Sequence, residues 1–134
     1  MRLAFAVATA LSAVFYCAPL PAAAQDSAEM IELSLPRAAR PGEAIWLEVT
    51  IGNLPPDAEI DVTAGEDMPV GTISPFGGAA ARHGASYTIP LPASAVNSGR
   101  IVVRLQVLQP GIPPRPPAPG EIQSVAPIYV PISN

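Results

Sequence analysis

Three features of the chain predict an all-β protein, an antiparallel sandwich of about seven strands. Apolar residues recur at every second position in short runs. Proline and glycine, 18 and 10 residues respectively, punctuate those runs at the roughly ten-residue spacing typical of small sandwiches and barrels. After residue 24 no stretch sustains the period of a long helix.

Each element follows from this pattern. Ile31, Leu33 and Leu35 alternate with Glu32 and Ser34, which predicts a half-buried strand stopped by Pro36. Arg40-Pro41-Gly42-Glu43 reads as a turn, because proline fixes φ and glycine accepts the positive φ that follows. Ile45, Leu47, Val49 and Ile51 form the inward set of a second strand, opposite Trp46, Glu48 and Thr50. Trp46 is then either an aromatic on the solvent side or a sign that the two faces are reversed.

Ile60, Val62 and Ala64 mark a third strand, Gly65-Glu66-Asp67 a turn, and residues 70–74 a short fourth strand. A glycine- and alanine-rich loop over 75–84 carries the single histidine, His83. Tyr87, Ile89 and Leu91 mark a fifth strand, and residues 93–99 suit one helical turn ending at Gly99. Ile101, Val103, Leu105 and Val107 give the clearest alternation in the chain. The last strand runs from about Val125 to Ile132, with Ile128, Val130 and Ile132 on one side. Pro127 and Pro131 cannot donate ladder hydrogen bonds, so this strand belongs at an edge. The sum is an immunoglobulin-like or fibronectin-like β-sandwich in architecture, without the Cys-Trp-Cys signature of true immunoglobulin domains.

Residues 109–120, Gln-Pro-Gly-Ile-Pro-Pro-Arg-Pro-Pro-Ala-Pro-Gly, are the strongest compositional anomaly. Such a run favours polyproline II, extended and without internal hydrogen bonds. It suits either docking to an aromatic-lined groove or a stiff connection between the last two strands. The second fits its position.

Residues 1–24 read as a cleaved export signal. Arg2 supplies the positive end, residues 3–18 an uncharged apolar run, and Ala22 and Ala24 the small side chains before Gln25. The run is shorter than the roughly 20 residues that span a bilayer, so no stable membrane anchor is expected. Residues 25–29 read as a flexible leader and 30–134 as one domain. The expected location is the periplasm or the medium of a bacterium. Cys17 leaves with the signal, so no internal disulfide forms and the domain depends on its apolar core.

All 7 basic residues are arginines against 11 acidic ones, and loss of Arg2 leaves a net charge of about −5. Such a surface disfavours nucleic acid. The chemical inventory is thin: no lysine, one histidine, no Gly-x-Ser-x-Gly elbow and no glycine-rich phosphate loop. No catalytic residue and no cofactor is expected. Two metal readings remain as alternatives. One is copper at His83 with Met68 or Met30, since imidazole and thioether suit that ion. The other is calcium at Asp57, Glu59 and Asp61, which alternate on one face near Glu66 and Asp67. A hydrolase with an unrecognised serine is the enzymatic alternative.

Val70-Gly71-Thr72-Ile73-Ser74-Pro75-Phe76-Gly77 resembles a stretch in the C-terminal β-sandwich domain of type-3 copper proteins, the tyrosinases, polyphenol oxidases and hemocyanins. Tyr87-Thr88-Ile89-Pro90-Leu91, the valine-rich strand over 100–108 and Ile128-Tyr129-Val130 follow in similar order. The likeness implies an accessory sandwich without the six-histidine copper domain, which points to an exported oxidoreductase as partner. The expected function is a non-catalytic module that binds or supports a protein partner. Trp46, Phe76 and Tyr87 are the candidate anchors, because aromatics dominate binding energy.

Overall fold

Among the described residues every proline inside a strand lies in a strand at the edge of a sheet. The computed structural model describes residues 28–75 and 83–133. Among them eight strands form: β1 (Glu29–Ser34), β2 (Glu43–Ile51), β3 (Glu59–Ala64), β4 (Met68–Ile73), β5 (Ser86–Pro90), β6 (Arg100–Gln109), β7 (Ile112–Arg115) and β8 (Ile122–Pro131). One sheet has the order β1-β6-β3-β4, with β7 also on β6; the other has the order β5-β2-β8. All pairings are antiparallel. The expected β-sandwich is therefore the fold. The proposed signal and residues 25–27 of the leader lie outside the described residues, and Glu29 already belongs to β1.

The core forms where the inner faces meet. Leu47, Val49 and Ile51 of β2 pack with Ile60, Val62 and Ala64 of β3 and Ile101, Val103, Leu105 and Val107 of β6. The side-chain alternation that predicts these strands is the same alternation that buries them. Gly71 of β4 faces Ile89 of β5, and a Cβ there would lie 3.2 Å from the Ile89 Cγ2, so the two sheets close tightly along that side. Between β1 and β8, on the other side, a groove of about 200 Å³ remains, lined by Glu29, Ile31, Ile122, Gln123, Ser124 and Val125.

The turns use the expected residues. Glu43 N–H donates to the Arg40 carbonyl at 3.0 Å across Pro41-Gly42, with Gly42 at φ +81°. Residues 93–95 form a 3₁₀ turn. Beyond it, Asn97 and Arg100 exchange two backbone hydrogen bonds around Ser98 and Gly99, at φ +52° and +73°. Two successive positive φ values are the mark of a type I′ hairpin turn.

The proline-rich segment departs from the expectation of an unpaired polyproline stretch. Pro110-Gly111 turns the chain, and β7 pairs with β6 at Gln109–Ile112 and Val107–Arg115. Pro113 and Pro114 fall in the irregular step between those pairs, where no ladder donor is needed. The segment is thus an eighth strand followed by a second turn at Pro119-Gly120, where Glu121 N–H donates to the Ala118 carbonyl at 3.1 Å. Gly120 in turn accepts from Asn53 N–H at 2.7 Å, and a Cβ on Gly52 would lie 2.0 Å from the Gly120 oxygen. Only glycine fits at position 52, and the end of β2 is locked to the proline-rich turn.

The same segment contains the one polar side chain buried among the described residues, Glu121, 7% exposed. Arg115 grips it in two parallel hydrogen bonds, Nη1 to Oε2 at 2.9 Å and Nη2 to Oε1 at 2.7 Å. Ala118 N–H adds a third at 3.0 Å, and Arg115 also donates to Gln109 Oε1 at 3.0 Å. Burial pushes the Glu121 carboxyl up, and the Arg115 hydrogen bond, the Ala118 N–H and the Arg115 charge together outweigh it, leaving the group below its ordinary value.

Candidate functional site

The outer face of the three-stranded sheet is assembled from the second phase of its alternation. Leu47, Val49 and Ile51 point inward, so Trp46, Glu48 and Thr50 point outward. Of the two readings of Trp46, the solvent-side one is what the structure adopts: the residue is half-buried and stands opposite the core set. Cross-strand register then decides its neighbours. Trp46 lies between Pro90 of β5 and Ile128 of β8, and Ala44 lies beside Val130.

β8 is apolar on both phases. Val125, Pro127 and Tyr129 share the inward phase of Val49, Leu47 and Ile45. Ile128, Val130 and Ile132 therefore run along the outer face, and Ile132 is 56% exposed. Together with Trp46, Ala44 and Pro90 they make one apolar stripe. The other end of the same face is polar: Thr50 and Ser86 share a hydrogen bond at 2.9 Å, with Ser124 opposite Thr50. The face is thus graded from polar to apolar, and within the apolar stripe Pro90 and Ile132 are exposed while Ala44, Trp46, Ile128 and Val130 are half-buried.

Two sets of contacts brace the strand ends beside the apolar stripe. Tyr129 O–H donates to the Arg37 carbonyl, while Arg37 N–H donates back to the Tyr129 oxygen at 3.3 Å. The Arg37 guanidinium lies 4.0 Å from the ring centroid. The same guanidinium holds Glu43 at the start of β2, Nη1 to Oε2 at 2.7 Å and Nη2 to Oε1 at 3.1 Å. That Arg37 hydrogen bond, with the Arg40 N–H at 2.9 Å, lowers the Glu43 carboxyl to about 2. The pairing ties the link between β1 and β2 to β8, next to the stripe.

The remaining candidates fall elsewhere. Tyr87 of β5 shares the inward phase, opposite Val49, and packs half-buried against the core. Phe76 lies outside the described residues. His83 is exposed, beyond that gap. Of the two methionines weighed as partners for His83, Met30 in β1 and Met68 in β4 stand at opposite edges of their sheet, three strand spacings or about 14 Å apart. Asp61 and Glu59 are taken up by cross-strand hydrogen bonds, from Thr72 Oγ1 at 2.6 Å and Ser74 Oγ at 2.9 Å, and Asp57 lies exposed in a turn. Asp67 is paired with Arg104 at 2.6 Å. Among the described residues no group of three or more His, Cys, Asp or Glu is placed to hold a metal, and no helix is long and apolar enough to cross a membrane.

Sequence reasoning singled out Trp46 but not Pro90 as part of one surface with it. Their juxtaposition depends on register between strands far apart in the chain. The signal that was present is the spacing of Ile128, Val130 and Ile132, whose shared side is this face. No protein-family model, no curated protein and no solved structure matches the chain.

Proposed function

We propose that this protein is an exported, non-catalytic β-sandwich module that binds a protein partner through the outer face of its three-stranded sheet. The observation that carries the reading is the stripe of Trp46, Pro90, Ile128, Val130 and Ile132 on the outer phase of the sheet, with Pro90 and Ile132 exposed and the others half-buried. A soluble domain ordinarily fills such positions with polar residues, and the other end of this face does so. A large aromatic between two apolar neighbours is the composition of a binding hot spot. Export is supported by the signal-like pattern of residues 1–24. The resemblance of residues 70–77 to the accessory sandwich of type-3 copper proteins supports an exported oxidoreductase as the class of partner.

The test is mild cross-linking of the tagged protein in its own exported compartment, with Trp46→Ala and Ile128→Asp variants in parallel. One protein recovered in stoichiometric amount by the parent and lost by both variants is the expected result. Recovery of the domain alone, or of the same protein by all three forms, counts against the reading.

A further inference from the structure

We propose that the free edge of β1 accepts an extended segment of the partner as an added strand, its apolar side chains entering the groove between β1 and β8. This rests on the partner-binding reading above and adds the mode of engagement.

Leu35 N–H donates to the Gly99 carbonyl at 2.8 Å, so the odd-numbered residues of β1 exchange bonds with β6. Met30, Glu32 and Ser34 therefore direct their N–H and C=O groups away from the sheet, and no described residue takes them.

The other four edge strands are blocked. Ile132 N–H donates to the Gly42 carbonyl at 2.7 Å, so the even-numbered residues of β8 bond to β2, and Pro127 and Pro131 occupy free-edge positions. Leu91 N–H donates to the Ile45 carbonyl at 3.0 Å, which in the same way puts Pro90 of β5 on a free-edge position. Pro69 sits at the irregular step of β4, and β7 carries Pro113 and Pro114. Prolines at such positions remove the donors a new strand would need. β1 alone among the five edges carries no proline.

Beside this open edge lies the groove of about 200 Å³, where Ile31 and Val125 are half-buried. Strand addition supplies backbone bonds for affinity and sends alternate side chains into such a pocket for specificity. Charge selects the occupant. Glu29 lines the groove, Glu32 beside it is already paired with Arg100 at 2.8 Å, and the chain's net charge is −4, which disfavours a second copy of this chain and favours a segment flanked by lysine or arginine. The occupant is thus an extended, alternating apolar segment with basic ends.

The probe is the capped peptide Lys-Val-Thr-Val-Thr-Val-Thr-Lys added to the folded protein, read by residue-resolved amide exchange. In the free protein the amides of Met30, Glu32 and Ser34 exchange fast while those of Ile31 and Leu33 are protected. The peptide slows the first set and leaves the second unchanged. Glu32→Pro removes an outward donor without touching the β6 ladder and weakens binding by about tenfold or more. Glu32→Ala keeps the N–H, loses the carboxylate and its pair with Arg100, and weakens binding less.

Outer amides already protected in the free protein, a peptide that binds without slowing them, no peptide binding at millimolar concentration, or dimerisation of the chain through β1 would each overturn the inference. If the cross-linked partner binds Glu32→Pro as it binds the parent but fails to bind Trp46→Ala, strand addition is wrong and the partner-binding reading stands. If the partner binds Trp46→Ala as it binds the parent but fails to bind Glu32→Pro, and the peptide protects the outer amides, strand addition stands and binding through the Trp46 face is wrong.

Discussion

Replacing Arg115 by alanine leaves a buried carboxylate without its counter-ion. Glu121 is 7% exposed and Arg115 supplies two of its three hydrogen bonds, so the variant keeps only the Ala118 N–H on that group. Breaking a fully buried pair costs about 3–5 kcal/mol. Here the Arg115 side chain is 29% exposed and water reaches the site, so about 2–3 kcal/mol is expected at pH 7. For a domain of this size that lowers Tm by roughly 10 °C.

The pH dependence gives the sign. In the parent the folded Glu121 carboxyl lies below its ordinary value, so its contribution is full at neutral pH and fades in acid. In Arg115→Ala burial dominates and the folded carboxyl rises, so the penalty is present at neutral pH and relieved as the group protonates. Thermal melts of the two proteins at pH 7 and pH 4 should therefore differ less in acid. Adding Glu121→Gln to Arg115→Ala should recover part of the loss at pH 7. An equal Tm gap at both pH values, or a double variant no better than the single, would refute the reasoning.

The remaining expectations are these. Gly52→Ala drives a methyl into the Gly120 carbonyl, 2.0 Å away, and strains the bonds of Gly52 and Asn53 to the proline-rich turn. The expected loss is about 3 kcal/mol, read by urea denaturation, and a change under about 0.5 kcal/mol would contradict the close approach. Ser98→Asn places a residue suited to positive φ in the type I′ turn and should raise stability by roughly 0.5 kcal/mol. Glu43, lowered to about 2 by Arg37 and Arg40, stabilises fully above its ordinary 4.5 and loses that contribution as pH falls from 4.5 to about 2. An NMR titration should put its midpoint near 2, and Glu43→Gln should remove that limb of the acid profile. A midpoint near 4.5 would break the Arg37–Tyr129 account.

The strands with one clean apolar phase were legible from sequence. β2, β3 and β6 alternate so strictly that their core sides, Leu47 to Ile51, Ile60 to Ala64 and Ile101 to Val107, follow from period two alone. β7 was hidden because local proline content argues for an unpaired stretch, while its pairing depends on a turn and on the Arg115–Glu121 clasp beyond it. β8 placed itself at an edge through Pro127 and Pro131. It did not declare its inner face, since Val125, Pro127 and Tyr129 are as apolar as Ile128 and Val130. The candidate site shows the same division. Trp46 stood out as the wrong residue for its phase, but its neighbours come from β5 and β8, and register across strands leaves no local trace.

Trp46, the one tryptophan of the chain, reports directly on whether a partner covers the face around it. The decisive measurement is acrylamide quenching of Trp46 fluorescence with and without the protein recovered by cross-linking. Substantial quenching in the free domain that falls when the partner is added, together with a shift of the emission to the blue, is the predicted result. A partner that binds while quenching and emission stay as they are in the free domain contradicts the account.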